Sequence, residues 1–354
     1  MAYTTIDDPS AYFTTTLYTG DGNDNRAITN SANSGNFKPD WLWYKERSST
    51  SSHRVFDSTR GASKRLEPDV NNAEATDTSN HKSFDTNGFT VGTSGSTNAN
   101  GDTYVAWQWK ANGGTTATNN NGDVTTTVQA NTTAGFSIVT YTGNGSSGAT
   151  IGHGLGAVPH LFIGKQRSNA ENWIVYHHKN TSAPETDFLS LNTADATADN
   201  ANAFNDTAPT SSVMTLGGKN EVNTSGRTYV GYFFTEIQGY SKFGSYIGNS
   251  NADGAFVYTG FKPAFVLVTA SNAAENWLIV DNKRTQSFNP VDGRLIPNSN
   301  AAEETNITPC DLLSNGIKWR TSDGVWNSSS NTHIYMAFAE SPFVSSKGVP
   351  TTAR

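Results

Sequence analysis

Residues 98–109 read NANGDTYVAWQW, and the line returns without a gap as NTSGRTYVGYFF at 223–234 and NSSSNTHIYMAF at 327–338. In each copy an Asn leads (Asn98, Asn223, Asn327) and a Thr holds the sixth place (Thr103, Thr228, Thr332). An aromatic residue or His follows, then Val105, Val230 or Ile334. The second half of the line is β-branched and aromatic, bounded by Gly, Asn and Asp, which is the pattern of a short strand. The copies lie more than 100 residues apart. Solenoid coils repeat at roughly 20–30 residues, so these are units of domain size.

Other landmarks recur in the same order around that line. LYTG (17–20), TYTG (140–143) and SYIG (245–248) open the units; FKPDWLWYKERS, AVPHLFIGKQRS and FKPAFVLVTASN follow from Phe37, Ala157 and Phe261. HRVFD (53–57), WIVYH (173–177) and WLIVD (277–281) come next. WLWYK and FVLV are nearly continuous apolar runs, as expected of strands buried on both faces. The chain therefore reads as all-β, three tandem antiparallel β-sandwich repeats, with a barrel as the alternative. The expected division is 1–112, a turn-rich linker with a prelude strand at 113–134, 135–238, 239–343 and a tail at 344–354. With that linker between units one and two, and none between two and three, the first unit is expected to be the freer. Gly20, Gly143 and Gly248 are expected in turn conformations closed to residues with a Cβ. Pro39, Pro159 and Pro263 sit before apolar strands, where a missing N–H costs little.

Composition narrows the function. The net charge is −7 and the pI about 5.5, which argues against a nucleic-acid partner held by a broad basic face. Mean hydropathy is −0.53 although only 16% of residues are charged, so the polarity comes from Asn, Thr, Ser and Gly, the residues of turns and solvent-facing strands. Cys310 is the sole cysteine, which excludes an intrachain disulfide and a thiolate zinc site. The N-terminal MAYTTIDDPSAYF has neither the basic nor the apolar region of a signal peptide. No apolar run approaches the roughly 20 residues of a membrane span. Membrane insertion is not expected.

Candidate chemistry is sparse. EPDVNN at Glu67 and ETDFLS at Glu185 approach the Glu-x-Asp-x-x-Glu of sandwich glucanases but lack the last Glu. GTSGST (92–97) lacks the strand-to-helix elbow of a nucleophilic serine, and no helix is expected after it. DGNDN (21–25) has alternating oxygens of the kind a calcium loop uses, yet the matching loops GNGSSG and GNSNADG do not; a turn is the better reading. His177 and His178 are adjacent on an extended segment and face opposite ways. His153 and His160 read as solvated loop residues that could meet across a hairpin. Trp41 with Trp43, and Trp107 with Trp109, could stack on sugar rings. Apolar residues replace them in the other copies (Leu161, Ile163, Tyr232, Phe234, Phe265, Leu267, Met336, Phe338), which favours the core. Catalytic, cofactor and metal residues are accordingly expected to be none, and ligand-binding residues are not identified.

The combination NFKPDWLWYKERS (36–48), TNGFTVG (86–92), AGFSIVTYTGNG (134–145), TIGHGLGAVP (150–159) and AFAESPF (337–343) resembles a family of repeat proteins of marine tailed bacteriophages, over essentially the whole chain. The resemblance implies concanavalin-like (lectin/glucanase) sandwiches and a virion structural or fibre-type role. The expectation is a non-enzymatic virion surface protein, a capsid decoration or tail-fibre component, that contacts host surface glycans. It would be assembled in the host cytoplasm with other virion proteins, as a homo-oligomer, with a trimer favoured. A lectin-like carbohydrate-binding module is the alternative, and a polysaccharide depolymerase the third reading. Unit three departs from the pattern: it lacks the Lys and Arg found at Lys45/Arg47 and Lys165/Arg167.

Overall fold

The computed structural model describes residues 2–30, 37–284 and 289–351. Unit one supplies β1 (Phe13–Thr19), β2 (Arg26–Thr29), β3 (Trp41–Glu46), β4 (Arg54–Asp57), β5 (Lys64–Arg65), β6 (Ala75–Thr76), β7 (His81–Asp85), β8 (Gly88–Val91) and β9 (Thr103–Trp109). The linker forms β10 (Ala117–Asn119) and β11 (Thr126–Asn131). Unit two supplies β12 (Phe136–Thr142), β13 (Ala149–Gly152), β14 (Leu161–Gln166), β15 (Ile174–His177), β16 (Asp187–Ser190), β17 (Ala198–Asp199), β18 (Val213–Leu216) and β19 (Thr228–Phe234). Unit three supplies β20 (Ser241–Ile247), β21 (Phe256–Tyr258), β22 (Phe261–Ala270), β23 (Leu278–Asp281), β24 (Val291–Arg294), β25 (Glu304–Leu313), β26 (Gly316–Trp319) and β27 (Thr332–Pro342). The α-helices are single turns: α1 (Gly95–Asn98), α2 (Ala201–Phe204), α3 (Asn220–Asn223) and α4 (Gly324–Asn327).

The chain is all-β, and its ladders are antiparallel. One strand order appears three times: β1-β9-β3-β4, β12-β19-β14-β15 and β20-β27-β22-β23. The recurring line of sequence is the second strand of each sheet, flanked on both sides, and its side chains are buried on both faces. Alternation then sorts the apolar runs. Trp41 and Trp43 turn to one face of β3 while Leu42 and Tyr44 turn to the other. Phe265 and Leu267 likewise oppose Val266 and Val268 on β22. On the outer face each sheet meets a second one, β2-β8-β7, β13-β18 or β21-β26-β25-β24, and encloses its own hydrophobic cluster.

The inner faces share a single core. Trp41, Trp109, Ile138, Tyr232, Phe265 and Phe338, drawn from all three units, belong to one buried cluster. The last residues of the three copies of the recurring line converge there: the ring of Phe338 lies 5.7 Å from Trp109 and 6.0 Å from Phe234. Trp41 of unit one stacks on Tyr232 of unit two at 4.6 Å. This corrects the expectation of a freer first unit, because the first unit inserts its largest side chains into the core it shares with the others. The linker is also firmly held. β11 pairs along the edge of β12, and Gln129 on it is buried, donating to Ser58 and Thr59 of unit one.

Candidate functional site

The residues kept in all three copies hold the fold locally. Asn98, Asn223 and Asn327 end the one-turn helices and are fully buried. Each accepts a backbone N–H from the loop after the first strand of its unit, from Asp21, Asn144 and Asn249, at 3.0–3.1 Å. Each also donates to a carbonyl of that loop, that of Asn23, Ser146 or Asn251, at 2.8–2.9 Å. Gly20, Gly143 and Gly248 are required for a reason other than the expected turn conformation: their φ values are ordinary. A Cβ on any of them would lie 1.9–2.5 Å from the backbone of Ala99, Thr224 or Asn327, so close approach excludes a side chain. The tyrosines at this end stack in pairs, Tyr18 on Tyr104 at 5.1 Å and Tyr141 on Tyr229 at 5.0 Å. In unit three His333 stacks on Tyr246 at 4.9 Å instead.

Polar groups tie the units at three seams that run one way around the core. Between units one and two, buried Arg60 pairs with Asp57 and Glu74, Tyr232 Oη donates to Asp57 Oδ2 at 2.7 Å, and Arg167 binds Glu74 at 2.8 Å. Between units three and one the pattern returns. Arg284 pairs with Asp281 and Glu303, Trp107 Nε1 donates to Asp281 Oδ2 at 2.9 Å, and Arg47 binds Glu303 at 2.7 Å. Burial disfavours a charged Asp281, but the charge and hydrogen bonds of Arg284 outweigh it and hold the carboxyl below its ordinary range. Between units two and three the Asp, Glu and Arg of that pattern are replaced. His177 replaces Asp and donates from Nε2 to Tyr335 O at 3.1 Å; Thr197 N and Ser271 O bond at 2.8 Å where the other seams have Glu and Arg. Met336 replaces the aromatic donor. The loss of Arg in unit three is thus matched by loss of its acidic partner in unit two. These seams were legible as D-x-x-R after VF and IV in units one and three, but nothing in the sequence assigned them to the next unit.

The sequence candidates are scattered. Trp41, Trp43, Trp107 and Trp109 are buried in the shared core and present no stacking face. Glu67 pairs with Arg54 at 2.6 Å, Asp69 accepts His53 N at 3.1 Å, and Asp187 bonds Thr181, while Glu185 lies in a 3₁₀ turn. The second half of GTSGST lies in α1, a single turn that starts at Gly95 and is capped by Ser94. In the DGNDN loop Asp21 pairs with Arg26 and Asp24 with Lys82, so both carboxylates already have cations. Cys310 is buried in the core of unit three. His153 is not solvated: it is fully buried, donates to Thr210 O at 3.1 Å and stacks on Phe233. His160 meets His178 rather than His153, ring centroids 4.5 Å apart. Among the described residues no three His, Cys, Asp or Glu side chains are placed to hold a metal ion.

The site that sequence reading missed lies beside unit three. β20 and β21 are edge strands, and between them and unit two runs an open groove of about 490 Å³. Its floor carries polar order. Glu236 Oε1 accepts Phe243 N at 3.0 Å, and its other oxygen binds Lys242 Nζ at 3.1 Å. His178 donates from Nε2 to Phe243 O at 2.6 Å, and burial lowers its pKa to about 4, so it is neutral near pH 7. Its wall carries Phe256 and Tyr258, 46% and 55% exposed. Tyr258 Oη lies 3.3 Å from Tyr3 Oη. Polar hydrogen-bonding groups beside solvent-facing aromatic rings can bind a ligand with both hydroxyls and an apolar face.

An all-β chain with three like-ordered sheets closed on one core, and an open groove on its outer side, is the class of protein defined here. The chain belongs to the family described as a domain of unknown function, DUF7483, which matches residues 8–342 and so spans all three units. No curated protein and no solved structure matches it.

Proposed function

We propose that this chain is a non-enzymatic bacteriophage virion surface protein whose three units are concanavalin-like (jelly-roll) sandwiches, and that it contacts host surface glycans. The carrying observation is the division of labour within the molecule. Recurring positions build the shared core, the seams and the loop anchors, while the exposed aromatic pair that walls the groove belongs to unit three alone. Glu67, Glu74, Asp281 and Glu303 are engaged by arginines within the fold, which supports binding rather than turnover. One weak site per chain, displayed several times by a homo-oligomer, suits attachment, since linked sites gain avidity without new contacts. The partners on this reading are other virion proteins of the capsid or tail, and a homotrimer is the expected assembly. Immunolabelling of intact particles tests it: labelling at capsid or tail is expected, and absence from particles refutes it. The groove equally favours a free lectin-like module, which would retain glycans yet be missing from particles.

A further inference from the structure

β12 of unit two and β20 of unit three hold the same place in their sheets, yet β12 has its outer edge paired by β11 while β20 faces the groove. An added strand is therefore the first occupant to weigh. Register argues against it. Phe243 is the counterpart of Ile138, which stands opposite Gln129 in the middle of the β11 ladder. The outward N–H and C=O of Phe243 are already bonded to Glu236 and His178. A strand could pair there only by displacing both side chains, so the edge is blocked.

Side-chain chemistry remains open in the groove. Phe256 and Tyr258 stand two residues apart on β21 and so share a face. By register their counterparts are Ala27 and Thr29 in unit one and Thr150 and Gly152 in unit two, so the aromatic pair is peculiar to unit three. Lys179 on the rim is exposed and, among the described residues, has no ion pair; Lys242 shares Glu236. The groove thus sets two ammonium groups against one carboxylate, on a chain whose net charge is −7. That local reversal of sign selects an anion, and the rings select a ligand with a flat apolar face.

We infer that this groove binds an acidic saccharide, with a sugar ring on Phe256 and Tyr258 and its carboxylate at Lys179. The inference rests on the glycan half of the proposed function and is independent of virion placement. The test is calorimetric titration of the full chain with pentagalacturonate and, as the neutral counterpart, cellopentaose. Tyr258→Ala and Lys179→Glu are the variants; both positions are exposed, and an unchanged denaturation midpoint verifies their fold. Pentagalacturonate should bind at least tenfold more tightly than cellopentaose, and each variant should weaken it at least tenfold. Equal binding of the two sugars overturns the acidic class and leaves glycan contact standing. Binding of neither overturns both. Uronate binding untouched by either variant overturns the location. Binding of a peptide VTTTVQAN, the sequence of 124–131, would give the groove to a strand instead.

Discussion

Replacing Asp281 by Ala should destabilise the whole molecule, not only unit three. The Asp281 side chain is fully buried and Arg284 is 1% exposed. Arg284, Arg47, Asp281 and Glu303 form a balanced set of two cations and two anions. Removing one carboxylate leaves a buried cation in excess, which costs about 3–5 kcal/mol. It also strips the acceptor from Trp107 Nε1, a buried donor whose loss of partner costs about 1–3 kcal/mol and overlaps with that figure. Against a typical total of about 5–15 kcal/mol, this is a large fraction. Urea unfolding followed by tryptophan fluorescence and by circular dichroism should show one transition, its midpoint lowered and its slope unchanged. The double variant Asp281→Leu with Arg284→Leu should lose less than Asp281→Ala, because no charge is stranded. A loss below about 1 kcal/mol would mean the network is solvated and the reasoning wrong. Separate transitions, with unit one or two unaffected, would refute the shared core.

Three further outcomes follow from named contacts. Burial holds His81 and His177 neutral down to about pH 3, whereas the unfolded chain protonates each near about 6.5. Their contribution is therefore complete above about pH 6.5 and falls as pH drops from there toward 3, at about 1.4 kcal/mol per pH unit for each ring. Chemical denaturation at stepped pH should show this slope, and His177→Asn should reduce it by one proton; an unchanged slope counts against the assignment. His333 is buried and, among the described residues, neither ring nitrogen is bonded, where Tyr104 and Tyr229 each donate to a helix carbonyl and accept a backbone N–H. His333→Tyr should thus raise stability by about 1 kcal/mol, read as a higher urea midpoint; a drop would show that the site lacks room. Gly248→Ala should cost at least about 1–3 kcal/mol through overpacking, since its Cβ would meet Asn327 at 2.2 Å. Gly95→Ala, with nothing nearer than 4.0 Å, should be neutral or stabilising in the same assay.

The sequence by itself determined the strands. NANGDTYVAWQW and its two copies mark the second strand of each sheet because a period of two and burial on both faces leave a local signature. The pairing of apolar replacements, Trp107 with Tyr232 and Met336, likewise announced a core and not a stacking platform. Local pattern could not say which core. Trp41 reads the same whether it faces its own unit or a neighbour, and only the tertiary structure sets it on Tyr232. The role of the leading Asn was hidden for a related reason: its amide serves a loop more than 70 residues away, at a distance that spacing along the chain does not encode. The groove was illegible as well, since an exposed Phe256-Val-Tyr258 looks like any short strand. It becomes a candidate site only because β11 covers the edge of unit two while Glu236 and His178 close that of unit three, leaving two aromatic rings and exposed Lys179 facing water.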